Sequence, residues 1–263
     1  MAPPLAARVA ERFFLAVPAR PLKLAERAYA DEARRVALDT PSGLIQGWRW
    51  GDAPETVLLV HGWGGRGPQL AAIAKALVAR GYSALAWDMP GHGDRASRTN
   101  LPELAAATAA IARQAGPLAG VVAHSFGLAT TLVATREGLV PPRLVGIAGS
   151  ALLHRLADQF GGLTGFTPRV VERMRANLSA RLGFSWEELE AATLAPRLGC
   201  PALLIHDRHD ERVPFDHAVV IGRYSNAEVV ATSGLGHSAI LSDPAVLARV
   251  ADFFPPGAAR PKR

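Results

Sequence analysis

A recurring pair constrains this chain most: a short apolar run followed, within a few residues, by a helical pattern. Thr56-Val57-Leu58-Leu59-Val60 lacks polar alternation, as a strand buried on both faces requires. Pro68–Arg80 then offers a proline suited to a first helical turn, apolar Leu70, Ile73, Leu77 and Val78, and Gly81 to end the helix. Extended runs at Ser83–Trp87, Gly120–Ala123, Leu144–Ala148, Ala202–Ile205 and Glu228–Ala231 repeat the theme. Helical patterns accompany them over Pro102–Gln114, Phe126–Glu137, Phe215–Arg223 and after Asp243-Pro244. Such alternation over short links specifies an α/β fold whose parallel sheet is covered by helices on both faces. A hairpin of Arg34–Leu38 and Leu44–Trp50 is expected ahead of it.

The alternation stops between about Ser150 and Pro196. There Thr167-Pro168 caps a helix with Val171, Met174, Leu178 and Leu182 on one face, and Ser185 with Glu188 forms a capping box for a second helix ending before Pro196. The chain of 263 residues thus reads as one domain with an insertion. Residues 1–33 form a proline-broken helical segment expected outside the core, 34–149 and 197–254 the two parts of the core, 150–196 a small helical cap, and 255–263 a loose tail.

The net charge of +6 and pI near 10.2 come from arginines scattered along the chain without a concentrated block. A dispersed, solvated basic surface follows, and no nucleic-acid partner is expected. Cys200 is the single cysteine, so no intrachain disulfide can form, and a buried structural thiol is expected. Phe13–Val17 is too short for a signal-peptide core, which makes a cytoplasmic location the expectation. No stretch approaches the roughly 20 apolar residues of a membrane helix, so no stable membrane insertion is expected.

Val121-Val122-Ala123-His124-Ser125-Phe126-Gly127 feeds a β-branched run into a serine and then into a helical pattern. A sharp strand-to-helix turn needs small residues two positions either side of the serine, and Ala123 and Gly127 fill those places. A serine hydroxyl becomes a nucleophile only beside a base that is itself held by a carboxylate. In a doubly wound sheet both partners belong in loops at the carboxyl ends of later strands. His206-Asp207-Arg208-His209-Asp210-Glu211-Arg212-Val213-Pro214 and Gly234-Leu235-Gly236-His237-Ser238 are two such loops, acid before histidine. His237 is the expected general base. The histidines and aspartates within 206–210 are too crowded on an extended loop to converge on a metal, and none is expected.

Over roughly residues 34–254 the chain resembles the α/β-hydrolase superfamily. The elbow, the His-Gly loop at 61–65, the Asp-Met-Pro-Gly-His-Gly loop at 88–93, the Asp-Glu-Arg-Val-Pro acid loop and the Gly-Leu-Gly-His-Ser loop stand in that family's order. The resemblance implies an α/β-hydrolase fold with a mostly parallel eight-stranded sheet. It implies Ser125, Asp210 and His237 as the triad, Asp210 being the aspartate three residues before Val-Pro and Asp207 standing where the family usually has glycine. It implies the Trp63 and Phe126 amides as the oxyanion hole. Ala123 departs from the glycine that commonly opens the elbow, as in small bacterial lipases that resemble this pattern.

The activity implied is hydrolysis of carboxylic esters of small to medium apolar acyl groups, without a cofactor. Thioesters, lactones, amides, carbon–carbon bonds and acyl transfer remain open, as does a non-catalytic ligand-binding protein on the same scaffold. An aspartate nucleophile, as in epoxide hydrolases and haloalkane dehalogenases, is argued against by Ser125. Leu153, Phe160, Leu163 and Phe166, among glycines, are expected to form an apolar and mobile acyl pocket. His154 is placed either there or on the cap surface. His61 and His124 lie near the site, with structural hydrogen bonding expected for His61 and packing beside the sheet for His124.

Overall fold

The computed structural model describes residues 3–150 and 152–257. Helix α1 (Pro3–Phe14), a short strand β1 (Ala16–Val17) and helix α2 (Leu24–Asp31) precede the hairpin of β2 (Arg34–Thr40) and β3 (Gly43–Trp50). Then follow β4 (Thr56–Val60), α3 (Ala71–Ala79), β5 (Ser83–Trp87), a short β6 (Ser97–Arg98), α4 (Leu101–Gln114), β7 (Leu118–His124), α5 (Phe126–Ala134) and β8 (Leu144–Ile147). The insertion supplies α6 (Leu153–Thr164), α7 (Pro168–Leu182) and one-turn α8 (Ala191–Leu194). The chain returns through β9 (Ala202–Asp207), α9 (Asp216–Ser225), β10 (Glu228–Thr232), one-turn α10 (Gly236–Ala239) and α11 (Pro244–Phe253).

Eight strands form one sheet in the order β10-β9-β8-β7-β4-β5-β3-β2, with β3 antiparallel to both neighbours and the other pairings parallel. The uniform apolarity of β4 is explained by two cores. Leu58 and Val60 point to one face with Leu104, Ile111, Leu128 and Leu132, and Val57 and Leu59 to the other with Ile73, Leu77, Val246 and Val250. Burying each leucine-sized side chain contributes about 2 kcal/mol, so polar substitution on either face of β4 is disfavoured. The chain leaves β4 towards β5 on one side and returns to β7 on the other. That reversal opens a crevice at the carboxyl ends of β4 and β7.

Several local expectations are corrected. Residues 153–164 are not a mobile glycine-rich stretch but helix α6, which buries Leu153, Ala157 and Gly161. The glycine serves packing: a Cβ on Gly161 would lie 2.6 Å from Cγ2 of Val171 on α7. The Ser185–Glu188 capping box forms, with Ser185 N–H donating to Glu188 and Glu188 N–H to Ser185 Oγ. It opens only a single 3-10 turn, because Glu190 is extended (φ −74°, ψ 151°) and α8 restarts after it. That carboxylate accepts the His154 main-chain N–H at 2.8 Å, satisfying an orphan donor in the first turn of α6.

Helix α1 of the N-terminal segment packs against the cap, whereas α2 lies on the core as expected, with Ala30 buried there and Tyr29 O accepting the Trp50 Nε1–H. Glu11 on α1 accepts a hydrogen bond from Asn177 and faces Arg181 at 3.4 Å, both on α7. Phe14 packs edge-on to Phe160 at 5.2 Å and meets Trp186 at 6.3 Å. The β1–β6 pair, unforeseen, ties this segment to the core. The start of the tail is pinned, since Tyr82 donates to Pro255 O and Gly257 N–H to Arg80 O. Residues 258–263 of that tail lie outside the described residues. Cys200 is half-buried, and burial pushes its thiol pKa up. Among the described residues no helix is long and apolar enough to cross a membrane.

The Gly161 contact makes a signed prediction. Helix propensity alone favours Gly161→Ala by about 1 kcal/mol, whereas contact with the stiff, buried Val171 side chain should make it destabilising by about 1 kcal/mol. The urea midpoint is expected to fall; a rise would show that α7 yields freely.

Candidate active site

Register pairing of Val60 with Ala123 sets the loop after β4 against the turn after β7. Ser125 occupies that turn with φ 54° and ψ −126°, a strained conformation for a residue with a side chain. Two glycines permit the approach. A Cβ on Gly127 would lie 2.5 Å from Val60 O, and one on Gly62 2.7 Å from the Ser125 Cβ. Alanine is accommodated at 123 within the fully buried strand.

His237, in one-turn α10, bridges to the serine. Its Nδ1 lies 2.7 Å from Asp210 Oδ2 and its Nε2 3.0 Å from Ser125 Oγ. Because a carboxylate only accepts, Nδ1 carries the proton and Nε2 presents its lone pair to the serine hydroxyl. Burial works against the Asp210 charge. The hydrogen bond from His237 and main-chain N–H groups of Val213 and Arg212 outweigh it, so its pKa is lowered.

The neighbouring carboxylate does different work. Asp207 is fully enclosed and accepts from Leu235 N–H, His209 N–H and Thr232 Oγ1, each at 2.9 Å. Burial opposes its ionisation, but these donors from the acid and histidine loops hold its pKa down at about 2. It therefore clamps the Asp210 loop to the His237 loop. His206 donates to Val213 O at 2.8 Å and His209 contacts Ser233 at the surface. The two histidines and two aspartates of 206–210 do not converge on one point, and among the described residues no group of three or more His, Cys, Asp or Glu could hold a metal.

The loop after β4 is fixed from behind. His61 Nε2 accepts Met89 N–H at 2.9 Å, so Nδ1 carries the proton and donates to Gly62 O at 2.8 Å. Gly65 N–H donates to the same carbonyl. Across a trans peptide, the Trp63 N–H points opposite to that held carbonyl. The Phe126 N–H is the first of α5, where no intrahelical acceptor exists. The Trp63 and Phe126 rings pack edge to face at 5.4 Å. Arg66, in ion pairs with buried Asp88 (2.8 Å) and Asp94 (2.7 Å), ties this loop to the one after β5.

An apolar cavity of about 390 Å3 opens on Ser125 and His237. Leu153 and Phe160 line it, whereas Leu163 is 81% exposed and Phe166 stacks behind Phe160. His154 turns away to Glu190 at 2.6 Å, and His61 is wholly buried behind the loop. Leu163, Phe166, His154 and His61 are thus not pocket residues. His124 points its ring to His237 (centroids 4.8 Å) and donates from Nε2 to the His237 carbonyl. Sequence reasoning missed Phe14, Leu178, Leu182, Trp186 and Arg212 in the wall. The α7 stripe that marks Leu178 and Leu182 was legible as core, but its cavity-facing role depends on α1 folding over the cap.

Several histidines are held neutral. Burial pushes His61 well below the imidazole range. Burial, then the charge of His237, takes His124 to about 3, and burial with His206 nearby takes His217 to about 4. Unfolded histidines gain protons below about pH 6.5, so stability from these groups is full above that pH. It is lost as pH falls from there towards the folded values. The lowered Asp207 and Asp210 act lower, from about pH 4 downward. The urea midpoint is accordingly expected to drop between pH 7.5 and 5; a flat midpoint would contradict the buried neutral histidines.

The Alpha/beta hydrolase family model matches residues 57–250. Among solved structures, the Pyrococcus furiosus esterase Pf2001 superposes with TM-score 0.67 at 15% identity, over 91% of this chain and 96% of that one. Est1E from Butyrivibrio proteoclasticus gives 0.63 at 17%, over 83% and 96%. A putative lipase from Acinetobacter baumannii gives 0.62 at 16%, over 88% and 96%. These likenesses are of fold. No curated protein matches significantly. With its family match spanning most of the eight-stranded sheet, the chain belongs to the alpha/beta hydrolase family.

Proposed function

We propose that the protein is a serine hydrolase that cleaves carboxylic esters of medium-length apolar acyl groups. The supporting observation is His237, within 2.7 Å of Asp210 and 3.0 Å of Ser125, at the mouth of an apolar cavity. His237 Nε2 takes the Ser125 proton as Oγ bonds to the carbonyl carbon. The Trp63 and Phe126 amides receive the oxyanion, worth a few kcal/mol per donor. Collapse breaks the carbon–alkoxy bond, and the imidazolium returns its proton to the leaving alcohol. Water, deprotonated by His237, then attacks the acyl-enzyme, releasing acid and restoring Ser125. Asp210 holds the required tautomer throughout.

The cavity sets the acyl length. At roughly 30 Å3 per water-sized group, about 390 Å3 admits on the order of a dozen heavy atoms. With p-nitrophenyl esters, kcat/KM is expected to peak between about six and ten acyl carbons. Phe160→Ala, which lengthens the wall, should move the peak to longer chains. Ser125→Ala should lower kcat/KM by roughly 10^3 or more, and Asp210→Asn by a comparable factor. Unchanged turnover in Ser125→Ala would overturn the mechanism; a flat chain-length profile would overturn the acyl assignment.

A further inference from the structure

A second cavity, of about 350 Å3, is also lined by Ser125 and His237. Both cavities are lined by Trp63, Ser125, Arg212 and His237, so they meet where the carbonyl carbon of a bound ester would sit. An ester has two arms at that carbon. The first cavity is walled by phenylalanines, leucines and a tryptophan and suits the acyl arm. The second is walled by Arg20, Lys23, Glu26, Gln69, Ser238 and Ser242, and lies along the segment that follows His237. Because His237 itself lines this cavity, an alkoxide leaving into it stays within reach of the imidazole proton.

The charge in this second cavity is unbalanced. Arg20 is spent on Glu26, with its two terminal nitrogens 3.1 and 2.6 Å from the two carboxylate oxygens. Lys23 and Arg212 make no ion pair among the described residues, and no other carboxylate lines the cavity. Two positive charges are therefore left, flanked by amide and hydroxyl donors. A phosphate monoester, carrying about −1.5 to −2 charges near neutral pH and three acceptor oxygens, matches them. The four arginines of α7 do not supply this site. Arg175 pairs with Asp158 and Glu172, Arg181 with Glu11, and none of Arg169, Arg173, Arg175 or Arg181 lines either cavity.

We propose that the polar cavity is the leaving-group subsite and that it takes the alcohol arm of an ester bearing a phosphate monoester, held by Lys23 and Arg212. This rests on the hydrolase reading above and adds the class of alcohol to it. The reaction is unchanged in its bonds: the acyl–oxygen bond breaks, the phosphorylated alcohol leaves protonated, and the phosphate ester itself stays intact.

The test compares two substrates that differ only in the phosphate, 1-octanoylglycerol and 1-octanoylglycerol 3-phosphate, on the intact chain. The ratio of kcat/KM, phosphorylated over neutral, is expected to be about fivefold or more, the scale of two exposed charge contacts. The ratio should shrink as ionic strength rises from 0.05 to 0.5 M and should fall several-fold in Lys23→Gln and in Arg212→Gln. Glycerol 3-phosphate should also inhibit hydrolysis of p-nitrophenyl octanoate competitively where glycerol does not. A ratio of one or below, or a ratio indifferent to salt and to both variants, overturns the subsite while leaving the hydrolase intact, provided the neutral ester is turned over. Failure of the wild-type protein to turn over either glyceride or p-nitrophenyl octanoate overturns the hydrolase reading, and this inference with it.

Discussion

The structure depends on one close approach: the chain leaving β7 doubles back into α5 directly beneath the end of β4. Gly127 has Val60 O and His61 O where a side chain would begin, and Gly62 has the Ser125 Cβ against it. Ser125 absorbs the reversal in its positive φ. The strain is sustained because β4 and β7 are the central strands of the sheet, hydrogen-bonded on both sides, β4 buried throughout and β7 from Ala119 onward. The crevice at the sheet's switch point and the serine hydroxyl presented to it are therefore one consequence of topology.

Around that turn, positions are fixed by buried groups that do not line the apolar cavity. His61 aims the loop after β4, Asp207 staples the acid and histidine loops, and His124 supports the backbone of His237. Each is held in one protonation state by its surroundings, neutral for the histidines and ionised for the carboxylate. A charged His124 would be costly beside His237. Keeping it neutral lets its Nε2–H serve as a fixed donor to the His237 carbonyl.

The core was legible because its signals are local and agree. The two-faced burial of β4, the proline and glycine that bracket the following helix, and small residues around Ser125 all point the same way. The distances among Ser125, His237 and Asp210 follow from three loops at one edge of that sheet. The cap was less legible, since glycines at 161 and 162 read as flexibility, whereas Gly161 is the contact that lets α6 lie on α7. Likewise the extended Glu190 interrupts what a capping box at Ser185 begins, because its carboxylate is needed at the start of α6. The role of α1 could not be read from its own pattern. Phe14 meets Phe160 and Trp186 across about 150 and 170 residues of chain, and only tertiary packing makes those residues one wall.

We propose that this geometry makes Ser125 the one activated hydroxyl among the described residues. Treatment with a fluorophosphonate, followed by peptide mass mapping, measures it directly. The account predicts a single adduct on Ser125, formed at a rate that collapses in His237→Ala and disappears on unfolding. No adduct in the folded protein, or adducts spread over other serines at comparable rates, would contradict it.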